Sequence, residues 1–235
     1  MSGLITVMQR YELKYLLSEE QTDRLVKSLE GHMQLDQYGR TSIASLYYDT
    51  PDHRLIRHSL EKPPFKEKMR LRSYGLATKD SPVYLELKRK AYGLVYKRRV
   101  QTTLDQVDRF FEEHRSISAG GQIDREIAYF RDFYSELEPA CLIIYDREAY
   151  FDPCGDLRLT IDYNPRYRVD QLDLTTSMEG ELLLPEGHTI LEVKVQNALP
   201  LWLSAALAEY GVYKNNFSKY GEAYKRQMKC GAIKR

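Results

Sequence analysis

The sequence predicts an α+β protein: a closed antiparallel β-barrel with helices packed around its outside. Three observations support this. Short strand-like segments place charge at every second position, and they recur along nearly the whole chain. The faces opposite those charges are apolar. The segments run strands, helices, strands, helices, without the regular alternation of a parallel sheet. Side chains of a strand point to opposite faces in turn, so charge at i, i+2 marks one face of a sheet.

The elements follow in order. RYELKYLL (10–17) reads as a strand with Glu12 and Lys14 on one face and Tyr11, Leu13 and Tyr15 on the other. Ser18 and Gln21 form a capping box for a helix whose apolar side is Leu25, Val26 and Leu29, and Gly31 ends it. TSIASLYYD is a strand to Asp49; Thr50 then caps and Pro51 starts a short helix to residue 59. EKPPFKEK is a loop. KMRLRSYG, VYLELKRK and YGLVYKRRV are strands, with a turn at ATKDSP and another near Gly93. Residues 103–117 and 122–138 have helical spacing, in Leu104, Val107, Phe110 and Phe111, then Ile127, Phe130, Tyr134 and Leu137. Gly120 and Gly121 separate these helices and Pro139 ends the pair. CLIIYDREAYF, LRLTIDYN and HTILEVKVQ return to strand. LPLWLSAALAEYG and NNFSKYGEAYKRQM are helical, and 166–188 reads as loop or edge strand. No low-complexity linker or fixed repeat interrupts residues 1–235, so one domain is expected.

Composition narrows the partners. The net charge is only +1 although 29% of residues are charged, so an anion site must arise by local segregation of charge. Electrostatic binding of nucleic acid calls for a larger positive excess, and none is expected here. Cys141, Cys154 and Cys230 are odd in number and lack CxxC spacing, which argues against a disulfide framework or a zinc site. A reducing, cytoplasmic setting follows. The start, MSGLITVMQRYELKYLL, lacks signal-peptide architecture. No run of about 18 uncharged apolar residues predicts direct membrane insertion. Contact with a membrane would need a membrane-protein partner.

Six charge pairs remain: Glu12/Lys14, Arg70/Arg72, Glu86/Lys88, Lys97/Arg99, Arg158 with Asp162 across Thr160, and Glu192/Lys194. Arg147 adds a lone cation on a strand. The plain alternative is a solvated face of an antiparallel sheet. A solvated face usually mixes Thr, Ser, Gln, Glu and Lys, whereas these faces concentrate Arg and Lys. A closed sheet would turn them inward, where charges cost several kcal/mol each, roughly, unless paired. The surplus of cations calls for water and a bound polyanion. Phosphate suits planar Arg donors and Lys point charges. A glutamate among them makes sense beside a divalent metal that also bridges phosphate oxygens.

RYELKY, SLYYDTP, KMRLRSYG, YLELKRK, VYKRR, YDREAY, LRLTIDYN, ILEVKV and FSKYG, in this order, resemble the triphosphate tunnel metalloenzyme superfamily. Within it they resemble the catalytic domain of the vacuolar transporter chaperone (VTC) family, the polyphosphate polymerases. The resemblance implies a basic tunnel in which Lys14, Arg70, Arg72, Lys88, Lys97, Arg147, Arg158 and Lys194 grip ATP and a growing phosphate chain. It implies that Ser218 and Lys219 bind phosphate near the helical end, that Lys214 can assist, and that Glu192 holds Mn2+ or Mg2+. Glu12, Glu86 and Asp162 can hold metal or orient the cations as ion pairs. Tyr74 shares a face with Arg72 and can line the channel. Two positions depart from the pattern. Arg10 stands where many hydrolases of the superfamily have the first Glu of ExExK, which favours polymerase over hydrolase. Asn216 stands where the polymerases often have Lys before FSK.

The resemblance thus implies ATP:polyphosphate phosphotransfer, with polyphosphate or triphosphate as partner molecules. A tripolyphosphate or nucleoside triphosphate hydrolase, or a non-catalytic polyphosphate-binding module, are the alternatives; an RNA triphosphatase role ranks below them. His32, His53, His58, His114 and His188 fall in predicted helices or loops and read as surface or structural residues. The other tyrosines read as packing residues.

Overall fold

The computed structural model describes residues 11–92, 94–118 and 120–231. Arg10 and the expected turn residue Gly93 lie outside the described residues. In chain order the elements are β1 (Tyr11–Leu17), α1 (Glu19–Ser28), β2 (Gln34–Leu35), β3 (Thr41–Asp49), α2 (Arg54–Leu60), β4 (Phe65–Tyr74), β5 (Val83–Ala91) and β6 (Leu94–Thr102). There follow α3 (Leu104–Glu112), α4 (Gln122–Phe133), β7 (Glu138–Phe151), β8 (Arg158–Arg168), β9 (Glu181–Leu182), β10 (Thr189–Val195), α5 (Leu201–Glu209) and α6 (Lys219–Lys229). The chain forms two compact units. Among the described residues the first comprises 11–41, 146–164 and 184–217, and the second 42–145, 165–183 and 218–231.

In the first unit the order is β1-β10-β8-β7, antiparallel where β1, β10 and β8 pair. Leu17, Leu159, Ile161, Leu191 and Val193 are fully buried on one face of these strands. They form a core with Leu25 and Leu29 at α1 and Leu203 and Leu207 of α5. The capping box of α1 is present: the Gln21 N–H donates to Ser18 Oγ at 3.2 Å, and the Ser18 N–H donates to Gln21 Oε1 at 2.9 Å. Gly31, at φ +77°, follows where a side chain would be strained.

In the second unit the order is β7-β3-β4-β5-β6, also antiparallel where β3 to β6 pair. Met69, Leu71, Leu85 and Leu87 face Val107 and Phe110 of α3 and Ile127 and Phe130 of α4 in one core. Thr103 and Gln106 build a second capping box, at the start of α3.

The expected closed barrel does not form. Among the described residues, β1 meets only an isolated bridge, Tyr15 to Lys214, on its outer edge, and β6 pairs with no strand beyond β5. Alternating charge determines which face of a strand is polar. Closure depends on backbone hydrogen bonding at the outer strands, on which the pattern is silent.

Several boundaries also differ. β4 begins at Phe65, inside the segment expected as loop, and α3 ends at Glu112 rather than at 117. α2 begins at Arg54, after His53 in the left-handed region at φ 55°. The buried Asp49 carboxylate accepts the N–H groups of Leu55 at 2.8 Å and Ile56 at 3.0 Å, while Thr50 Oγ1 accepts that of Arg54 at 3.0 Å. The helix therefore starts where those acceptors lie. α4 stops at Phe133, and Pro139 sits at the second residue of β7 rather than ending a helix. A strand start tolerates the missing N–H. β8 continues past Asn164, at φ 47°, to Arg168, and short β9 pairs with it.

Asp49 also accepts the Tyr220 hydroxyl of α6 at 2.8 Å. Asp49→Ala would orphan these donors in a buried place and is expected to cost about 3 kcal/mol. Urea denaturation measures it; a loss under about 1 kcal/mol would show that water replaces the carboxylate.

Candidate functional site

The second unit carries a basic face on β4, β5 and β6. Register places Lys66, Lys68, Arg70 and Arg72 of β4 opposite Lys90, Lys88, Glu86 and Tyr84 of β5. On β6, Lys97 lies opposite Lys88 and Arg99 opposite Glu86. Eight cations thus share this face with one carboxylate, Glu86, because the alternation that buries Met69, Leu71, Leu85 and Leu87 leaves no other choice of side.

Arginines surround Glu86. Arg70 Nε donates to Glu86 Oε2 at 2.7 Å, Arg72 Nη2 stands 3.7 Å from the same oxygen, and Arg99 Nε is 3.6 Å from Oε1. Burial would raise the Glu86 pKa, but Arg70 and Arg72, then Arg99, outweigh it and hold the carboxyl below its ordinary range. Burial would lower the Arg70 pKa, yet Tyr47, Glu86 and Tyr145 hold it above its ordinary value. Both groups stay charged at neutral pH, with one carboxylate set against three guanidiniums.

Tyrosine hydroxyls complete this cluster. Tyr47 accepts from Arg70 at 3.1 Å, Tyr145 accepts from Arg72 at 3.5 Å, and Tyr74 accepts from Arg99 at 3.1 Å. Tyr74 therefore belongs with the cations, as its parity with Arg72 suggests. On sequence alone Tyr47 and Tyr145 read as packing residues; the parity of Tyr47 with Ser45 and Asp49 on β3 is the signal that marks it. Lys219 brings its ammonium 4.4 Å from the Tyr145 ring centre. Tyr47 stacks on Tyr220 at 4.7 Å, which ties the start of α6 to β3. Ser218 Oγ is the N-cap of α6 and accepts the Gly221 N–H at 3.3 Å. Arg72 is buried and Arg70 half-buried, whereas Lys88, Lys97 and Arg99 are exposed. The face grades from a sheltered end to an open one.

The first unit carries a mixed cluster. Lys14 lies opposite Glu192, and Glu12 opposite Lys194, which itself lies opposite Arg158. Lys14 Nζ is 3.0 Å from Glu192 Oε1 and 4.0 Å from Glu12. Arg147 grips the fully buried Asp162 with two bonds, Nε to Oδ1 at 2.5 Å and Nη2 to Oδ2 at 2.8 Å. Its Nη2 also stands 3.6 Å from Glu192 Oε2. Asp162 therefore serves as the partner that orients Arg147. The exposed Arg158 lies over the Phe151 ring at 5.3 Å. Lys214 is exposed beside β1, where the Asn215 N–H donates to the Lys14 carbonyl at 2.7 Å. Thr160, in register with Glu192, has a buried hydroxyl without a hydrogen-bond partner.

Among the described residues no three His, Cys, Asp or Glu groups form a metal cage. A magnesium-like ion needs only one or two protein carboxylates when phosphates and water supply the rest. Glu192 and Glu12 share one sheet face at diagonal positions, so the donor set fits a metal that arrives with phosphate. None of the five histidines lies on a strand. No helix among the described residues is long and apolar enough to cross a membrane.

The model of the VTC domain family matches residues 9–228. Two solved structures share the fold. One is a Bacillus halodurans protein provisionally described as an adenylate cyclase, 13% identical, with a TM-score of 0.54 over 88% of this chain and 92% of that one. The other is HpAC1 from Hippeastrum, provisionally described as an adenylyl cyclase and as having a dominant triphosphatase activity; it is 15% identical, with a TM-score of 0.54 over 90% of this chain and 93% of that one. Comparison with curated proteins found no match.

Proposed function

This chain belongs to the VTC domain family, and we propose that it is a metal-dependent polyphosphate polymerase that transfers the γ-phosphate of ATP to the end of a phosphate chain. The observation that carries this reading is the β4–β5–β6 face, with eight cations to one carboxylate. A repeating row of positive charge suits a repeating anion.

In this reading the phosphate-holding residues of the second unit are Arg70, Arg72, Lys88, Lys97 and Lys219, with Tyr74 beside them. Those of the first unit, taken by itself, are Lys14, Arg147, Arg158, Lys194 and Lys214. Ser218 contributes as the cap that sets Lys219 in place. Glu192, with Glu12, would hold Mn2+ or Mg2+, which when bound neutralises charge on the phosphate oxygens. Phosphoryl transfer spreads negative charge over those oxygens, and positioned cations stabilise it without covalent chemistry by the protein. An acceptor phosphate is already ionised near neutral pH, so no base is needed. Water as acceptor would call for a positioned base, and the placement of the histidines away from the strands favours a phosphate acceptor.

A hydrolase on the same fold is the second reading, favoured by the triphosphatase activity described for the Hippeastrum protein. Purified protein incubated with ATP and Mn2+ separates them. Chains resolved on a polyacrylamide gel are expected. Orthophosphate alone would establish hydrolysis, and polyphosphate binding without ATP consumption would make the protein a binding module.

A further inference from the structure

We propose that Thr160 is a substrate-binding residue whose hydroxyl donates to a phosphate oxygen beside Glu192 and Arg147. This inference rests on the phosphate-transfer reading and adds to it a neutral donor that none of the charge stripes identifies.

Thr160 lies on the β8 face that also carries Arg158 and Asp162, directly across from Glu192 of β10. It is 9% exposed, and its Oγ1 is buried without a hydrogen-bond partner. A buried hydroxyl without a partner is destabilising, and native structures seldom leave one so. Valine has nearly the same shape and suits a strand equally well. Packing alone would therefore favour Val at this position.

Its surroundings select the partner. Asp162 is taken up by both bonds from Arg147, and Glu192 accepts from Lys14 and faces Arg147. Those carboxylates are already satisfied by cations. An arriving phosphate offers further acceptor oxygens, drawn by Lys14, Arg147 and Arg158, and a hydroxyl fixed on a rigid strand can meet one of them without reorganisation. Thr160 then supplies directional recognition where Lys14 supplies only charge.

Isothermal titration with tripolyphosphate in EDTA tests this, using wild type, Thr160→Val and Thr160→Ser. Val is expected to bind about tenfold more weakly, and Ser within about threefold of wild type, because the hydroxyl is kept. Unliganded Thr160→Val is expected to melt at the wild-type temperature or higher, since the orphaned group is gone. Val binding as tightly as wild type would overturn the proposal, as would equal losses in Val and Ser, which would point to packing. A lower melting temperature for Val would also overturn it, by showing that the hydroxyl has an internal role. Mn2+ binding without phosphate, followed by electron paramagnetic resonance, is expected to be unchanged in Val; a loss there would make the metal hydrate the partner and overturn the assignment to phosphate. If wild type itself fails to bind tripolyphosphate, the phosphate-transfer reading falls together with this one.

Discussion

Arg70→Ala is expected to lower transfer of phosphate from ATP to polyphosphate by about 100-fold or more, with a melting temperature close to wild type. The size follows from losing a charge-assisted, planar donor to phosphate, worth about 3 kcal/mol in the transition state. The fold survives because Glu86 keeps Arg99 near one oxygen and Arg72 near the other, at 3.6 and 3.7 Å. Arg70→Lys keeps the charge but loses the bidentate fork and is expected to recover only part of the activity. Steady-state kinetics with both variants, alongside thermal melts, measure this. Wild-type turnover in Arg70→Ala would remove the β4 face from the reaction.

Glu192→Ala is expected to abolish metal-dependent transfer while leaving anion binding intact or stronger. Removal of this carboxylate does not strand its partners. Arg147 keeps Asp162, and Lys14 keeps Glu12 at 4.0 Å. The cluster gains net positive charge, so tripolyphosphate in EDTA should bind at least as tightly as to wild type. With Mn2+ present, turnover should fall by about 100-fold or more, in line with loss of a metal that neutralises transferring oxygens. Turnover at the wild-type rate and with wild-type Mn2+ dependence would exclude Glu192 as the metal carboxylate.

Period-two patterning made the polar and apolar faces legible. Lys14, Arg70, Arg72 and Lys194 take the faces that the pattern assigns, and Met69, Leu87, Leu159 and Val193 are buried opposite them. The capping box at Ser18 was equally plain, because its two side chains act within three residues. Features set by distant contacts were less accessible. The delayed start of α2 depends on where the Asp49 carboxylate reaches, and Tyr220, which shares that carboxylate, is 171 positions away. Tyr47 and Tyr145 resemble ordinary strand aromatics until Arg70 and Arg72 are placed against them. Edge pairing has no period, so a charge pattern that sets faces does not encode the closure of a barrel. Thr160 was visible beside Arg158 and Asp162, but only burial without a partner distinguishes its hydroxyl from a routine strand threonine.

The register that aligns Lys68, Lys88 and Lys97 across three neighbouring strands sets ammonium groups of like sign directly across from one another. Such juxtaposition opposes folding, and a multivalent guest relieves it. If polyphosphate binds here as proposed, its affinity and the stability of this sheet would be thermodynamically linked. In the polyphosphate reading, the residues that set like charges side by side are also the ones that a bound anion would bring together.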